Sequence, residues 1–335
     1  MNNNLIPLVN IVSEKRGYNR EYFINFFERC NLSCGFCWQD HDDYTGVDNI
    51  ISKSDIILNK ITDGEFSTIN VMGGELFADF VDDNVFVDYH KFVQKIHEQH
   101  PTGEYVVNFV TNLVFEKTDR VKKFFDSLAD CGYKTTAVSS YDPRGRFNNS
   151  DRELFMRNLT IFNDYIRSVS VVMTKQNIEA ISGGDIGFDT IYRSGMNLYV
   201  DFYSPEKNWK LYRPTDTEIV DFFIFLTKKY PDVSPINEYI KGGFNTSTSC
   251  RSSTIILPNN SVGSCKILSD DFDEFDNIND LESDFVQDRG CLMCEYYKVC
   301  GLSCFLHSAK IYNDYNNDTQ IECEFKRFYA SINGQ

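Results

Sequence analysis

The stretch Tyr22-Phe23-Ile24-Asn25-Phe26-Phe27-Glu28-Arg29-Cys30-Asn31-Leu32-Ser33-Cys34-Gly35-Phe36-Cys37 decides how this chain is read. Its first six residues, Tyr22–Phe27, are an aromatic and apolar run of strand type. Three cysteines follow within eight residues, spaced Cys30-x3-Cys34-x2-Cys37. Three thiolates on one short loop can hold three irons of a cubane cluster and leave the fourth without a protein ligand. An open iron lets a small molecule chelate there and receive an electron directly. Structural zinc wants four protein ligands, usually as separated Cys pairs, and three in eight residues fit it poorly.

Working outward, the chain has 335 residues, 42% hydrophobic and 24% charged, the balance of a water-soluble globular protein. No apolar run approaches the roughly 20 residues that span a bilayer, and the first 17 residues lack the layout of a signal peptide. The expected compartment is the cytoplasm, with no membrane partner. Cytosolic thiols are kept reduced, so the eleven cysteines point to metal or redox chemistry rather than disulfides. A formal charge of −16 repels phosphate backbones and argues against a nucleic-acid partner. Nine acidic residues and no Lys or Arg lie between Asp270 and Asp288, a solvated connector or a docking surface for a basic partner.

Short strand-like runs alternate with amphipathic helical patterns through the first two thirds. The strands are expected at Tyr22–Phe27, Thr68–Met72, Tyr105–Val110, Thr135–Ser140, Val169–Met173 and Leu198–Phe202. Helical patterns lie at Lys53–Ile61, Tyr89–Glu98, Thr118–Ala129, Arg152–Tyr165 and Ile178–Arg193, with a further one at Asp216–Tyr230. This alternation predicts an α/β chain with a parallel sheet and right-handed crossovers. Six such units fit an open, partial barrel as well as a doubly wound sheet. From Thr246 the texture becomes Cys-, Asn- and Asp-rich, and a domain boundary is expected near Tyr230–Phe244.

These residues resemble a known family. A CxxxCxxC loop after the first strand, with an aromatic residue (Phe36) before the third Cys, is similar to that of radical S-adenosylmethionine (radical SAM) enzymes. The resemblance implies a partial (β/α)6 TIM-type barrel over residues 21–230, preceded by an N-terminal segment, 1–20. It also implies a 4Fe–4S cluster on Cys30, Cys34 and Cys37 whose open iron binds the amino and carboxylate groups of S-adenosylmethionine. Reductive cleavage there gives methionine and a 5′-deoxyadenosyl radical that abstracts hydrogen from a substrate. Met72-Gly73-Gly74-Glu75, after the second strand, resembles the family's GGE motif, with Leu76 where Pro is usual. Gly73 and Gly74 let the backbone approach the methionine portion, and the Glu75 carboxylate can accept from its ammonium. Thr111-Asn112-Leu113 and Ser140-Tyr141-Asp142-Pro143 resemble two further strand-end motifs, with Leu113 and Pro143 replacing Gly. Strand C-termini form the active face of a βα barrel, so Asn112 and Ser140 are candidate cofactor ligands. Asp142 reads as a turn residue.

The C-terminal third holds Cys250, Cys265, Cys291-x2-Cys294-x5-Cys300-x3-Cys304 and Cys323. This run resembles the SPASM extension of the same family, a small Cys-rich α+β domain, here 231–335, with two auxiliary 4Fe–4S clusters. By that resemblance Cys250, Cys265 and Cys304 bind the first, and Cys291, Cys294, Cys300 and Cys323 the second. Four thiolates close the second cube. The first has three, so it is either open to substrate or closed by Ser252, Ser253 or a backbone atom. Asn260 stands where the family has a turn Gly, and Asn tolerates the left-handed conformation.

The function implied is oxidative modification of a peptide or protein: crosslinking, epimerisation or dehydrogenation. A reductase such as flavodoxin or ferredoxin is the expected electron donor. With about twenty residues before the first strand, a separate leader-binding protein or leaderless recognition is expected. Sulfatase maturation is less favoured because Lys266 follows Cys265, where those enzymes have an Asp. The alternatives are a radical SAM dehydrogenase or rearrangement enzyme acting on a small molecule and, outside enzymes, an iron–sulfur electron carrier or zinc-stabilised module. Cys131 reads as a buried structural thiol on the face opposite the site. His97 and His100 read as solvated, His41 as a residue without a site role, with a place near the substrate as the alternative, and the aromatic residues chiefly as core.

Overall fold

The computed structural model describes residues 19–37, 39–61, 66–101, 104–203, 209–241, 253–263 and 291–294, with 287 and 331. Six strands, β1 (Asn19–Asn25), β2 (Phe66–Met72), β3 (Tyr105–Thr111), β4 (Thr135–Ser140), β5 (Ile166–Met173) and β6 (Leu198–Phe202), lie side by side in sequence order. Every neighbouring pair among them is parallel. Parallel neighbours require a crossover for each connection, and helices supply them: α1 (Ile50–Leu58), α2 (Asp83–Gln99), α3 (Thr118–Asp130), α4 (Asn149–Ile161), and the pair α5 (Lys175–Ser182) and α6 (Ile186–Arg193). A longer helix, α7 (Asp216–Lys229), follows β6. This is the α/β, open partial barrel expected from the resemblance.

The expected single helix Ile178–Arg193 is two. Gly183 caps α5, Gly184 takes a left-handed φ of 91°, and Asp185 restarts the helix by accepting from Phe188 N. Side chains alternate across each strand. Tyr22, Ile24, Ile69, Val71, Val107 and Phe109 point to the helices and are fully buried. There Phe77 sits within 6.2 Å, centroid to centroid, of Phe86, Phe109, Phe115, Phe124 and Phe125. The aromatic content is therefore largely core among the described residues, as expected.

The opposite, lumen-facing positions are polar in the middle of the sheet. Asn108 Nδ2 donates to Asn70 Oδ1 at 2.9 Å, and Thr136 Oγ1 donates to Asn108 Oδ1 at 2.5 Å, a ladder across β2, β3 and β4. Two further strands extend the sheet beyond the expected domain boundary. β7 (Ser253–Ile256) pairs parallel with β1, and β8 (Val262–Gly263) pairs antiparallel with β7. Asn260 in the intervening turn has φ 69°, the left-handed conformation expected of it. Cys291 and Cys294 belong to the short segment 291–294, in which Cys291–Met293 is a turn of 3-10 helix. Cys250, Cys265, Cys300, Cys304 and Cys323, the non-Cys candidate Ser252, and the acidic run lie outside the described residues.

Cys131, His97 and His100 differ from expectation, the last being half-buried. Cys131 is where the sequence put it, at the end of α3 and away from the strand C-termini, but it is exposed rather than buried. Gly132, at φ 74°, turns the chain outward directly after it, and the thiol lies 4.0 Å from His90 Nε2. His97 is half-buried rather than solvated, its Nδ1 2.9 Å from the Tyr105 hydroxyl and its ring 4.8 Å from that of Tyr133.

Candidate active site

The cysteine loop leaves the C-terminal end of β1, and the neighbouring strand ends hold it in place. Cys30 N donates to His41 O at 2.9 Å and Glu28 N to Asp43 O at 3.0 Å, which sets the His41 segment beside the loop. From the other side, Gly74 N donates to Phe27 O and Glu75 N to Arg29 O. Gly74 is needed for this approach. A Cβ there would lie 2.0 Å from Arg29 O and 2.2 Å from Glu28 O, both main-chain atoms. The Gly-Gly pair thus serves the close packing of two strand ends, at the turn where the resemblance puts the methionine portion of the cofactor.

Glu75 has three partners within the chain. Its carboxylate is fully buried and accepts from Phe77 N at 3.0 Å, Thr111 Oγ1 at 2.7 Å and Asn112 N at 2.5 Å. Burial pushes its pKa up to about 7, against the three hydrogen bonds and the Arg146 charge that favour the ionised form. These three bonds make Glu75 a clamp joining the ends of β2 and β3. Asn112 is held by that clamp. Its Nδ2 donates to Asn31 Oδ1 at 2.9 Å and lies 3.7 Å from Cys30 Sγ. Leu113 takes φ 57°, the left-handed region, which explains physically why Gly is usual at this position. Ser140, half-buried, ends β4 on the lumen face.

Sequence reasoning missed Arg146 and misjudged Asp142. Asp142 does begin a turn, but its carboxylate is fully buried and accepts from Arg146 Nε at 2.7 Å, Val172 N at 2.9 Å and Asn177 Nδ2 at 2.9 Å. Arg146 in turn sits 5.6 Å over the Phe36 ring. Burial opposes its charge, but Asp142 and the nearby Cys34 and Cys37 thiols outweigh that and raise its pKa. Phe36 is buried with Tyr212 beside it, ring centroids 5.9 Å apart, so it closes the loop against Arg146. The only trace in the sequence is an Asp four residues before an Arg around Pro143 and Gly145, and turns with that composition usually face water.

The donor set suits an iron–sulfur cube. Burial pushes the Cys30 thiol up to about 12 and raises Cys34 as well. Such thiols stay protonated alone and ionise when a metal binds them. Among the described residues no three His, Cys, Asp or Glu side chains form a ready-made metal site. The backbone amide of Leu32 lies 3.4 Å from Cys30 Sγ, a donor of the kind that tunes cluster sulfur. Asn25 Oδ1, in a residue 1% exposed at the end of β1, is a buried acceptor with no partner among the described residues.

Replacing Arg146 by Met is expected to lower the midpoint potential of any cluster held by Cys30, Cys34 and Cys37, because a positive charge that favours the more negative reduced state is lost. It also leaves Asp142 buried without its cation, a change that costs about 3–5 kcal/mol. An EPR-monitored redox titration checks the first effect. Arg146→Lys should restore much of the potential, and a potential unchanged in Arg146→Met would remove this role.

No family model and no curated protein matches the chain by sequence. Solved structures do match by shape. A structure of anSMEcpe with bound AdoMet superposes with a TM-score of 0.63 at 13% identity, covering 94% of this chain and 96% of that one. Native anSMEcpe with AdoMet and the Cp18Cys peptide gives 0.59 at 12% identity over the same shares. SuiB from Streptococcus suis gives 0.53 at 16% identity, covering 89% of this chain and 76% of its own. The chain therefore has the fold of these proteins, the α/β partial barrel that the resemblance implied.

Proposed function

We propose that this protein is a radical SAM enzyme that oxidatively modifies a peptide or protein. The observation that carries the reading is the convergence, at the ends of β1, β2 and β3, of the Cys30–Cys37 loop, Gly73-Gly74-Glu75 and Asn112. An electron carrier or zinc module gives no reason for Asn112 beside Cys30. Support for a peptide substrate comes from the anSMEcpe structure that holds one.

In this reading the thiolates of Cys30, Cys34 and Cys37 hold a 4Fe–4S cluster. With S-adenosylmethionine bound, that cluster supplies the electron that cleaves the sulfonium and generates the hydrogen-abstracting radical. The chain's own residues do the rest. Main-chain groups of Gly73 and Gly74 would hold the methionine portion, and Asn112 and Ser140 would offer polar groups to the nucleoside. Glu75 keeps Asn112 in place, and Arg146 balances the charge of the thiolates. Phe36 and Tyr212 exclude water from one side of the loop. The polar ladder of Asn70, Asn108 and Thr136 supplies donors and acceptors for a substrate that enters the lumen. Cys250, Cys265 and Cys304, and Cys291, Cys294, Cys300 and Cys323, hold the two auxiliary clusters, and flavodoxin or ferredoxin delivers electrons. The setting is the cytoplasm; no described helix is long and apolar enough to cross a membrane.

Anaerobic reconstitution followed by iron analysis tests the cluster count, with about twelve irons per chain expected for three cubes. Incubation with peptides encoded beside the protein's own gene, S-adenosylmethionine and dithionite should shift a peptide's mass. About two zinc per chain and no iron would contradict the reading.

A further inference from the structure

The side-chain amides of Asn31 and Asn112 are each pinned by a main-chain group that can act in only one way. Asn112 Oδ1 accepts from Val114 N at 2.8 Å, and a main-chain N–H can only donate. Asn31 Nδ2 donates to Val114 O at 2.5 Å, and a carbonyl can only accept. Asn31 therefore turns its Oδ1 to Asn112, whose Nδ2 donates to it at 2.9 Å. That uses one of the two protons on Nδ2. The other serves Cys30 Sγ, 3.7 Å away.

The surroundings hold this donor in place before any metal binds. Asn112 is 5% exposed, and its main-chain N–H is taken by Glu75. Leu113, in the left-handed conformation, makes the turn that brings Val114 N back onto Oδ1. With Leu32 N at 3.4 Å, Cys30 Sγ is thus met by two N–H groups. The other two thiols of the loop, Cys34 and Cys37, lie instead near the full charge of Arg146. Dipoles serve the first thiol and a cation the other two. An N–H aimed at sulfur favours the state with more negative charge there, so it raises the potential of a cluster bound through that sulfur.

We infer that Asn112 sets the redox potential of the cluster that Cys30 helps to hold: Nδ2 donates to the Cys30 sulfur and favours the reduced state. The inference rests on the reading of Cys30, Cys34 and Cys37 as cluster ligands. In this role Asn112 acts through Cys30, as a positioning residue. The second lone pair of its Oδ1 remains for a bound nucleoside.

The test uses the full chain, reconstituted anaerobically, as wild type, Asn112→Ser, and Cys30→Ala, Cys34→Ala and Cys37→Ala combined. The first-cluster signal is defined as the reduced-cluster EPR signal that the combined variant lacks, together with about four irons. Asn112→Ser keeps an oxygen that can accept from Val114 N and removes the Nδ2 donor. Its first cluster should be about tenfold harder to reduce, a midpoint lower by about 59 mV for one electron. The titration is run without S-adenosylmethionine. In D2O-exchanged protein, ENDOR of the reduced first cluster should show one exchangeable deuteron coupling fewer in Asn112→Ser than in wild type. A merely structural asparagine would lower thermal stability and leave potential and coupling as they are. Either measurement left unchanged overturns the inference. If the combined variant loses no iron, the cluster reading fails and the role of Asn112 falls with it. If it loses iron and only Asn112→Ser is silent, the cluster reading stands and the inference alone is lost. Should Asn112→Ser fold poorly, Asn112→Asp decides: it keeps the shape and the acceptor for Val114 N but carries no N–H. There the deuteron coupling alone is read, since the added charge lowers the potential by itself. Its loss supports the inference, and its persistence overturns it.

Discussion

Replacing Glu75 by Ala is expected to cripple the protein although the carboxylate need not touch the cofactor. The substitution strands Phe77 N, the Thr111 hydroxyl and Asn112 N in a site with no water access, since all three donate to this carboxylate. Each unsatisfied buried donor costs about 1–3 kcal/mol, and the vacated volume adds to it. A total loss on the order of 3–5 kcal/mol in urea unfolding is expected, within the range of severe single substitutions. S-adenosylmethionine cleavage should fall at least about a hundredfold, because Asn112 and the Gly74 turn lose their common anchor and a small misplacement is costly in catalysis. Glu75→Gln should be milder, since its amide oxygen can still accept, but its NH2 group then opposes one of the donors.

Charge separates these variants further. The Glu75 pKa is raised from 4.5 to about 7 in the folded chain, with burial the largest cause. Between those values the folded state binds the extra proton, so this group's contribution is full below about pH 4.5 and declines as pH rises to about 7. The decline amounts to about 3 kcal/mol. Glu75→Gln cannot titrate. The stability gap between wild type and Glu75→Gln should therefore narrow from pH 5 to pH 7.5, and a gap independent of pH would contradict the buried-carboxylate account.

The periodic part of this fold is legible in the sequence because it depends on local pattern. β4 and β6 occupy the spans that alternation indicates, and β1, β2, β3 and β5 differ by one to three residues at their ends. α2 begins at Asp83, six residues before the apolar pattern at Tyr89 becomes regular. The α5–α6 break was hidden because Gly183-Gly184 interrupts the chain without changing the apolar period on either side. β7 is four residues long, and its partner β1 is more than 200 residues away, so no local signal announces it.

The site divides along the same line. Cys30, Cys34, Cys37, Gly73, Gly74 and Asn112 are readable because their chemistry depends on spacing along the chain, and they do meet at the strand ends. Glu75 is readable from the Gly-Gly-Glu motif, but its bonds to Phe77 N, the Thr111 hydroxyl and Asn112 N are not, because they depend on the β2–β3 juxtaposition. Arg146 was invisible because a charged residue in a turn ordinarily faces water. Only the tertiary fold buries Arg146 against Asp142.

The central claim is that Cys30, Cys34 and Cys37 hold a cluster that cleaves S-adenosylmethionine. Its most direct measurement is 5′-deoxyadenosine formed by the reconstituted protein with dithionite and S-adenosylmethionine, quantified by mass spectrometry. The account predicts product that requires both reagents and disappears when Cys30→Ala, Cys34→Ala and Cys37→Ala are combined. No product from the wild type, or the same yield from the triple variant, would contradict it.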